Sequence, residues 1–215
     1  MAKDTYFPIC LRMKGRLCTV VGGGSVAERK IRSLMDTDAR IKVIAPRWTP
    51  AITKWIDEGL VLGESRVYRD GDLKGSFIVY ASTDVPSVNE QVCLEAEQEG
   101  MMFNRSDQAD TGDWVDPAVV RRGQLAITVS TGGASPGMAK AIQCELQQEY
   151  GPEFEEALDW LAGLRVTLKE TLADPRDRQR ILKELWTEDT IDQIRNGELH
   201  KLKQKIAVAL EPGGK

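Results

Sequence analysis

Cys18-Thr19-Val20-Val21-Gly22-Gly23-Gly24-Ser25-Val26-Ala27-Glu28-Arg29-Lys30 is the stretch on which the reading of this chain turns. A run rich in β-branched residues, a glycine turn and a helix-forming segment follow one another without a gap. Gly22, Gly24 and Ala27 spell G-x-G-x-x-A, the spacing of the first turn in a dinucleotide-binding βαβ unit. Gly22 permits the tight turn, Gly24 lets a pyrophosphate approach the backbone, and Ala27 lets helix and strand pack closely. The diphosphate would rest on the free N–H groups and positive dipole end of a helix starting near Ser25. Glycine turns also occur with no ligand; strand and helix signals on the correct sides favour the nucleotide site.

Outward from that turn, strands alternate with helices. Phe7 to Met13 reads as a short extended segment, and the helix after Gly24 repeats Ala27, Ile31, Leu34 and Met35 at helical spacing. A second strand at Arg40 to Ala45 is stopped by Pro46. Dinucleotide folds often end this strand in an acid that holds the adenosine ribose, but here Ile44, Ala45 and Pro46 stand in its place. Adenosine must then be held by backbone groups or by the loop Pro46-Arg47-Trp48. Arg47 suits a 2′-phosphate or is an exposed loop arginine, so NAD and NADP are both open on residues alone.

Pro50 to Glu58 reads as a helix whose Trp55 packs on the sheet, and Val61 to Tyr68 as a strand. Phe77 to Ala81 reads as a buried strand ending in Ser82-Thr83-Asp84, and Val88 to Glu99 as a helix. In that helix Val92, Leu94 and Ala96 are assigned to packing, and Glu95, Glu97 and Glu99 to solvent. Met101 to Asn104 is a further strand, running into Arg105-Ser106-Asp107. Such alternation predicts an α/β fold, a parallel, doubly wound, Rossmann-like sheet with its ligand site at the carboxyl ends of the strands.

Beyond Asp107 the pattern changes. Trp114 to Gly123 precedes a strand at Gln124 to Ser130, and Thr131-Gly132-Gly133-Ala134-Ser135-Pro136 forms a second small-residue turn before a helix to Tyr150. That turn is either an anion cradle at a helix start or a loop needing special backbone angles. From Gly151 the chain is helical, with Phe154, Leu158, Leu161 and Leu164, then Ile181, Leu182 and Leu185, as core. Asp174-Pro175 interrupts this region, Asn196-Gly197 ends a helix, and residues 211–215 read as a frayed tail.

Composition narrows the classes. A chain of 215 residues with net charge −4 can bury a real core and gives no reason to expect nucleic-acid binding. No apolar run is long enough to span a bilayer, and the N-terminus lacks a signal-peptide core, so no membrane partner and a cytoplasmic location are expected. Cys10, Cys18, Cys93 and Cys144 are scattered and read as small buried hydrophobes. With His200 the only histidine, no multi-histidine metal site fits in one chain, and metal ligands are unknown.

V-V-G-G-G-S-V-A-E-R-K at 20–30, V-I-A-P at 43–46, A-S-T-D at 81–84, N-R-S-D at 104–107 and V-S-T-G-G-A-S-P at 129–136 resemble the siroheme synthase N-terminal family in order and spacing. That family comprises precorrin-2 dehydrogenases, some also sirohydrochlorin ferrochelatases. The likeness covers residues 5–205. The chain stops where fused members continue into a uroporphyrinogen methyltransferase, so the stand-alone form is expected. Thr131, where some members carry serine, keeps the hydroxyl.

The resemblance implies a homodimer, with an NAD-binding Rossmann-like domain at 1–113, a dimerisation segment at 114–149 and a helical C-terminal domain at 150–215. It implies NAD-dependent oxidation of precorrin-2 to sirohydrochlorin. With Gly22, Gly23 and Gly24, the family's NAD contacts fall on Ser25, Val26, Pro46 and Arg47, with Thr83 and Asp84 near the nicotinamide end. Asp107 falls on the catalytic aspartate, implicated in dehydrogenation and, in bifunctional members, in Fe2+ chelation. Asn104, Arg105, Thr131, Gly132 and Ser135 are candidate substrate contacts.

The residue types suit that chemistry. Hydride loss from a saturated tetrapyrrole carbon leaves a proton for an adjacent carboxylate, and Asp107 stands at a strand end; the competing reading of Asp107 is a turn-forming cap. Eight substrate carboxylates call for basic residues, for which Arg105, Arg121, Arg122 and Lys140 are candidates. The alternative function is a non-catalytic NAD(H) sensor, and a weaker one a dehydrogenase for another polyanion.

Overall fold

A computed structural model describes residues 6–108 and 111–210, as two compact units divided between Asp116 and Pro117. The tail expected to fray at 211–215 lies outside the described residues.

The first unit runs β1 (Leu17–Val21), α1 (Ser25–Met35), β2 (Arg40–Ile44), α2 (Pro50–Asp57), β3 (Leu62–Glu64), β4 (Ile78–Ala81), α3 (Pro86–Gln98) and β5 (Met102–Arg105). Its five strands form one parallel sheet in the order β3-β2-β1-β4-β5. Val21 pairs with Ile44 on one side and Ala81 on the other, so the chain order reverses across β1. Open α/β sheets hold ligands in the crevice at such a reversal.

Two apolar layers follow from the two-residue period of the strands. Cys18, Val20, Ile78 and Tyr80 face a core shared with Ala27, Ile31 and Leu34 of α1 and Ile52 and Trp55 of α2. Val21, Val79 and Ala81 face the opposite core, with Val92, Cys93 and Ala96 of α3. Ile31 is wholly buried, and burying such a side chain contributes about 1.5–3 kcal/mol. A doubly covered parallel sheet is the Rossmann-like arrangement expected.

Several expectations change. Only Leu62–Glu64 of the 61–68 stretch forms a strand, because Arg66 turns back to pair with Glu64 and Asp72. In α3 the buried face is Asn89, Val92, Cys93, Glu95 and Ala96, while Leu94 is exposed. At 3.6 residues per turn Glu95 shares the face of Val92 and Ala96, and Leu94 is turned away from it. Cys18 and Cys93 are buried, whereas Cys10 and Cys144 are exposed and are not core hydrophobes.

The second unit opens with an antiparallel pair, β6 (Ala118–Arg122) and β7 (Leu125–Val129). The sequence marks β7 but not β6. Gly123, at φ 53°, takes the first of two turn positions, where hairpins favour glycine. Five helices follow: α4 (Pro136–Glu149), α5 (Glu153–Thr171), α6 (Pro175–Glu184), α7 (Thr190–Arg195) and α8 (Leu199–Leu210). Ser135 caps α4 by accepting from Met138 N–H at 3.2 Å, and Asp174 caps α6 by accepting from Arg176 N–H at 2.8 Å. Phe154, Leu164, Leu168, Ile181, Leu185, Ile194, Leu202 and Ile206 make the helical core. His200 is exposed.

Candidate functional site

At the carboxyl ends of β1, β2 and β4 lies a crevice of about 640 Å³, lined by residues 21–26, 44–49, 82–85, Val67, Tyr68 and Val88. The volume falls within the range of small-molecule sites. Gly22, Gly23, Gly24, Ser25, Val26, Pro46, Arg47, Thr83 and Asp84 all line it. Residues from three separate motifs thus converge on one cavity.

Each glycine of the turn has its own reason. Gly22 has φ 133°, and a Cβ there would lie 2.2 Å from the Ser82 carbonyl oxygen. A Cβ on Gly23 would lie 2.0 Å from the Arg47 carbonyl oxygen; Thr49 N–H donates to Gly23 O at 3.0 Å along the same approach. The middle glycine, a free position in the motif, is therefore fixed by the β2 loop. A Cβ on Gly24 meets nothing within 4 Å, and Gly24 has no side chain to cap α1. Open space before uncapped first-turn amides is the geometry that receives an anionic group. A dinucleotide's diphosphate fits there.

Glu95 fixes the wall formed by Val67 and Tyr68. Its buried carboxylate accepts from Gly71 N–H and Leu73 N–H, each at 3.1 Å, and from the Tyr68 hydroxyl. Burial first, then this carboxylate, pushes the Tyr68 hydroxyl's pKa up. Asn89, on the same helix, fixes the Thr83 wall. Its Oδ1 accepts from Thr83 N–H at 3.0 Å and from the Thr83 hydroxyl at 2.8 Å, and its Nδ2 donates to Thr83 O at 3.0 Å.

Asp107 does not itself line the crevice. It stands on the loop that follows β5. Arg105 donates to it twice, Nε to Oδ1 at 3.0 Å and Nη2 to Oδ2 at 3.2 Å. This guanidinium, chiefly, holds the Asp107 carboxyl below its ordinary range. Next to it, the Ser106 hydroxyl pairs with that of Ser82 at 2.6 Å, joining the ends of β4 and β5.

The other candidates are placed differently. Asn104 points to the opposite face of the sheet, where Nδ2 donates to Trp114 O at 2.9 Å and Oδ1 accepts from Lys30 Nζ at 3.4 Å. Lys30 also pairs with Asp116, which accepts from Tyr80 OH at 3.0 Å and Trp114 Nε1 at 2.9 Å. Arg105 is buried against Asp107, with Nη2 also donating to Pro86 O at 3.4 Å. In the second unit, Gly132 and Gly133 adopt φ of 58° and 79°. Thr131 Oγ1 there exchanges hydrogen bonds with Ser135 N–H and O, both at 3.1 Å. Among the described residues no group of three His, Cys, Asp or Glu could hold a metal ion, and no helix is long and apolar enough to cross a membrane.

Sequence reasoning missed Asn89, Glu95, Ser82 and Ser106. The signal for the first two was helical: Asn89, Val92, Glu95 and Ala96 share one face at spacings of three, four and seven.

Sheet order, switch-point crevice and glycine turn define a dinucleotide-binding α/β protein. Residues 9–118 match the family described as "Putative NAD(P)-binding", and the chain belongs to this NAD(P)-binding family. It is 30% identical over 208 residues to siroheme synthase of Nitrosococcus oceani, covering 97% of this chain and 44% of that protein. It is 33% identical over 174 residues to siroheme synthase of Methylococcus capsulatus, covering 81% of this chain and 37% of that protein. The chain thus spans less than half the length of these relatives. Among solved structures it matches SirC, precorrin-2 dehydrogenase, with TM-score 0.76 and 25% identity, covering 93% of this chain and 100% of that one.

Proposed function

We propose that this chain is an NAD-dependent dehydrogenase that oxidises precorrin-2 to sirohydrochlorin in siroheme biosynthesis. The observation that carries this reading is the convergence of nine residues, from three separated motifs, on one switch-point crevice whose β4 end is joined to the β5 end before Asp107 by the Ser82–Ser106 hydroxyl pair. The siroheme synthase relatives and the SirC likeness supply the substrate class.

In this reading Gly24, Ser25 and Val26 hold the diphosphate, Pro46 and Arg47 flank adenosine, and Thr83 and Asp84 meet the nicotinamide end. NAD, when bound, supplies the two-electron oxidising capacity of the site. The chain's own task is the proton. Asp107, held below its ordinary range chiefly by Arg105, is ionised at neutral pH and so in the accepting form. Arg105 serves the carboxylate first, which leaves substrate carboxylates to other basic residues, with Arg121, Arg122 and Lys140 as candidates. Asn104, Thr131, Gly132 and Ser135 stay as candidate substrate contacts. Residues 1–113, 114–149 and 150–215 are read as cofactor, dimerisation and C-terminal segments of a cytoplasmic homodimer. Met138 and Ile142, exposed one turn apart on α4, support that dimer.

The test is an anaerobic assay with precorrin-2 and NAD followed by absorbance. Sirohydrochlorin should accumulate, and Asp107→Ala should greatly slow it while leaving NADH binding intact. Tight NADH binding without turnover would overturn the reading in favour of an NAD(H) sensor. Adding Fe2+ to the accumulated sirohydrochlorin tests ferrochelatase activity separately.

A further inference from the structure

The crevice is unevenly charged. Of the described residues that line it, only Arg47 and Asp84 carry charged side chains. Strands β2 and β4 flank β1 on opposite sides, so the cation follows one flanking strand and the carboxylate the other.

Arg47 is held by its backbone and free at its side chain. Its carbonyl oxygen packs against Gly23, which has no Cβ to collide with it, and Thr49 N–H donates to Gly23 O at 3.0 Å. Thr49 in turn caps α2, its hydroxyl accepting from Ile52 N–H at 3.3 Å. The Arg47 side chain is exposed and, among the described residues, meets no acceptor. No acid ends β2; Ala45 is buried there. Acids on the neighbouring elements are engaged elsewhere. Glu28 of α1 accepts from Arg32 Nη2 at 2.8 Å, and Glu64 of β3 pairs with Arg66. Neither lines the crevice.

We infer that Arg47 is a specificity-determining residue that admits a dinucleotide bearing a 2′-phosphate, so that the crevice takes NADP as well as NAD. This rests on the cofactor placement proposed above, in which Pro46 and Arg47 flank adenosine. The reasoning is electrostatic. An acid at the end of β2 selects the unphosphorylated ribose twice over, by accepting from its 2′-hydroxyl and by repelling a phosphate. With Ala45 and Pro46 in that zone, neither selection operates. A guanidinium on a fixed backbone, unspent on any carboxylate, offers a phosphate a charge-assisted, two-point contact. A neutral hydroxyl gains less from the same cation. The diphosphate has its own partners in the open first-turn amides after Gly24.

The experiment titrates NADPH and NADH into the whole chain by fluorescence, at about 0.05 M and about 0.5 M salt. At low salt the parent should bind NADPH at least as tightly as NADH, and high salt should cost NADPH more, because the extra contact is ionic. Arg47→Gln should weaken NADPH about tenfold or more relative to NADH. Arg47→Lys, which keeps the charge but not the two-point contact, should weaken it by less. Competition against bound NADH isolates the phosphate. Adenosine 2′,5′-bisphosphate should displace NADH better than adenosine 5′-monophosphate in the parent, and lose that advantage in Arg47→Gln. Weaker binding of NADPH than of NADH by the parent at low salt, or an equal loss of both in Arg47→Gln, overturns the assignment and leaves the NAD-dependent reading standing. None of these readouts needs precorrin-2. A chain that binds NADPH through Arg47 yet oxidises precorrin-2 with neither cofactor would sink the dehydrogenase reading and keep this one.

Discussion

Arg105 meets Asp107 edge to edge, Nε on Oδ1 at 3.0 Å and Nη2 on Oδ2 at 3.2 Å, with the guanidinium buried and the carboxylate side chain only 28% exposed. A two-point grip fixes the plane of the carboxylate as well as its charge.

Removing that grip should change the charge and the orientation together. Arg105→Gln is expected to return the Asp107 midpoint toward about 3.9 and to slow the proposed oxidation about tenfold or more. The sign for stability follows from linkage. A carboxyl held low in the folded state contributes stability above its unfolded value, and that contribution is lost as pH falls through the folded one. Melting temperature against pH from about 6 down to about 3 should therefore fall less steeply in Arg105→Gln than in the parent. Equal slopes would mean the pair adds nothing.

The glycine turn separates folding from binding. Gly23→Ala drives a Cβ to within 2.0 Å of the Arg47 carbonyl oxygen, so the β2 loop must shift. We expect it to lose about 2 kcal/mol or more of stability. Gly24→Ala meets nothing, so stability should stay within about 0.5 kcal/mol while NADH affinity drops about tenfold or more, the methyl occupying the diphosphate's approach. Calorimetry with a binding titration distinguishes the two, and unchanged affinity in folded Gly24→Ala would remove the diphosphate from this turn.

Glu95 anchors a whole loop from one atom pair. Glu95→Ala leaves the Gly71 and Leu73 amides and the Tyr68 hydroxyl without their acceptor, at a cost of about 2–4 kcal/mol. Hydrogen exchange at Gly71 and Leu73 should quicken ahead of the sheet amides. Protection unchanged at both would show that the loop is held by other means.

Thiol chemistry reports on the layers of the sheet. Burial pushes the Cys18 and Cys93 thiols up to about 11 each, so both are protonated at neutral pH and shielded as well. A disulfide-exchange reagent should label Cys10 and Cys144 in the native chain, and Cys18 and Cys93 only on unfolding. Mass spectrometry counts the labels; four at neutral pH in native protein would contradict the core described here.

What the chain states locally, it states clearly. The 18–30 stretch fixes strand, turn and helix because glycine spacing and apolar period are properties of neighbours in sequence. The strands at β4 and β5 and the three cofactor-lining motifs were legible for the same reason. In α3 the helical period overrides residue type, burying Glu95 and exposing Leu94. Strand β6 went unmarked because its last residues, Arg121 and Arg122, carry no hydrophobic signal, and only pairing with β7 makes it a strand.

Sequence alone therefore determined the dinucleotide turn, the succession of strands and helices, and the positions at which ligand chemistry gathers. Tertiary structure decided which polar side chains are buried and for whom. Asn89 is committed to Thr83, Arg105 to Asp107 rather than to solvent, and Gly23 to the Arg47 carbonyl. Those partners lie from two to dozens of residues away, and a hydrogen-bond direction or a clash with a distant backbone exists only once folding has brought the groups together.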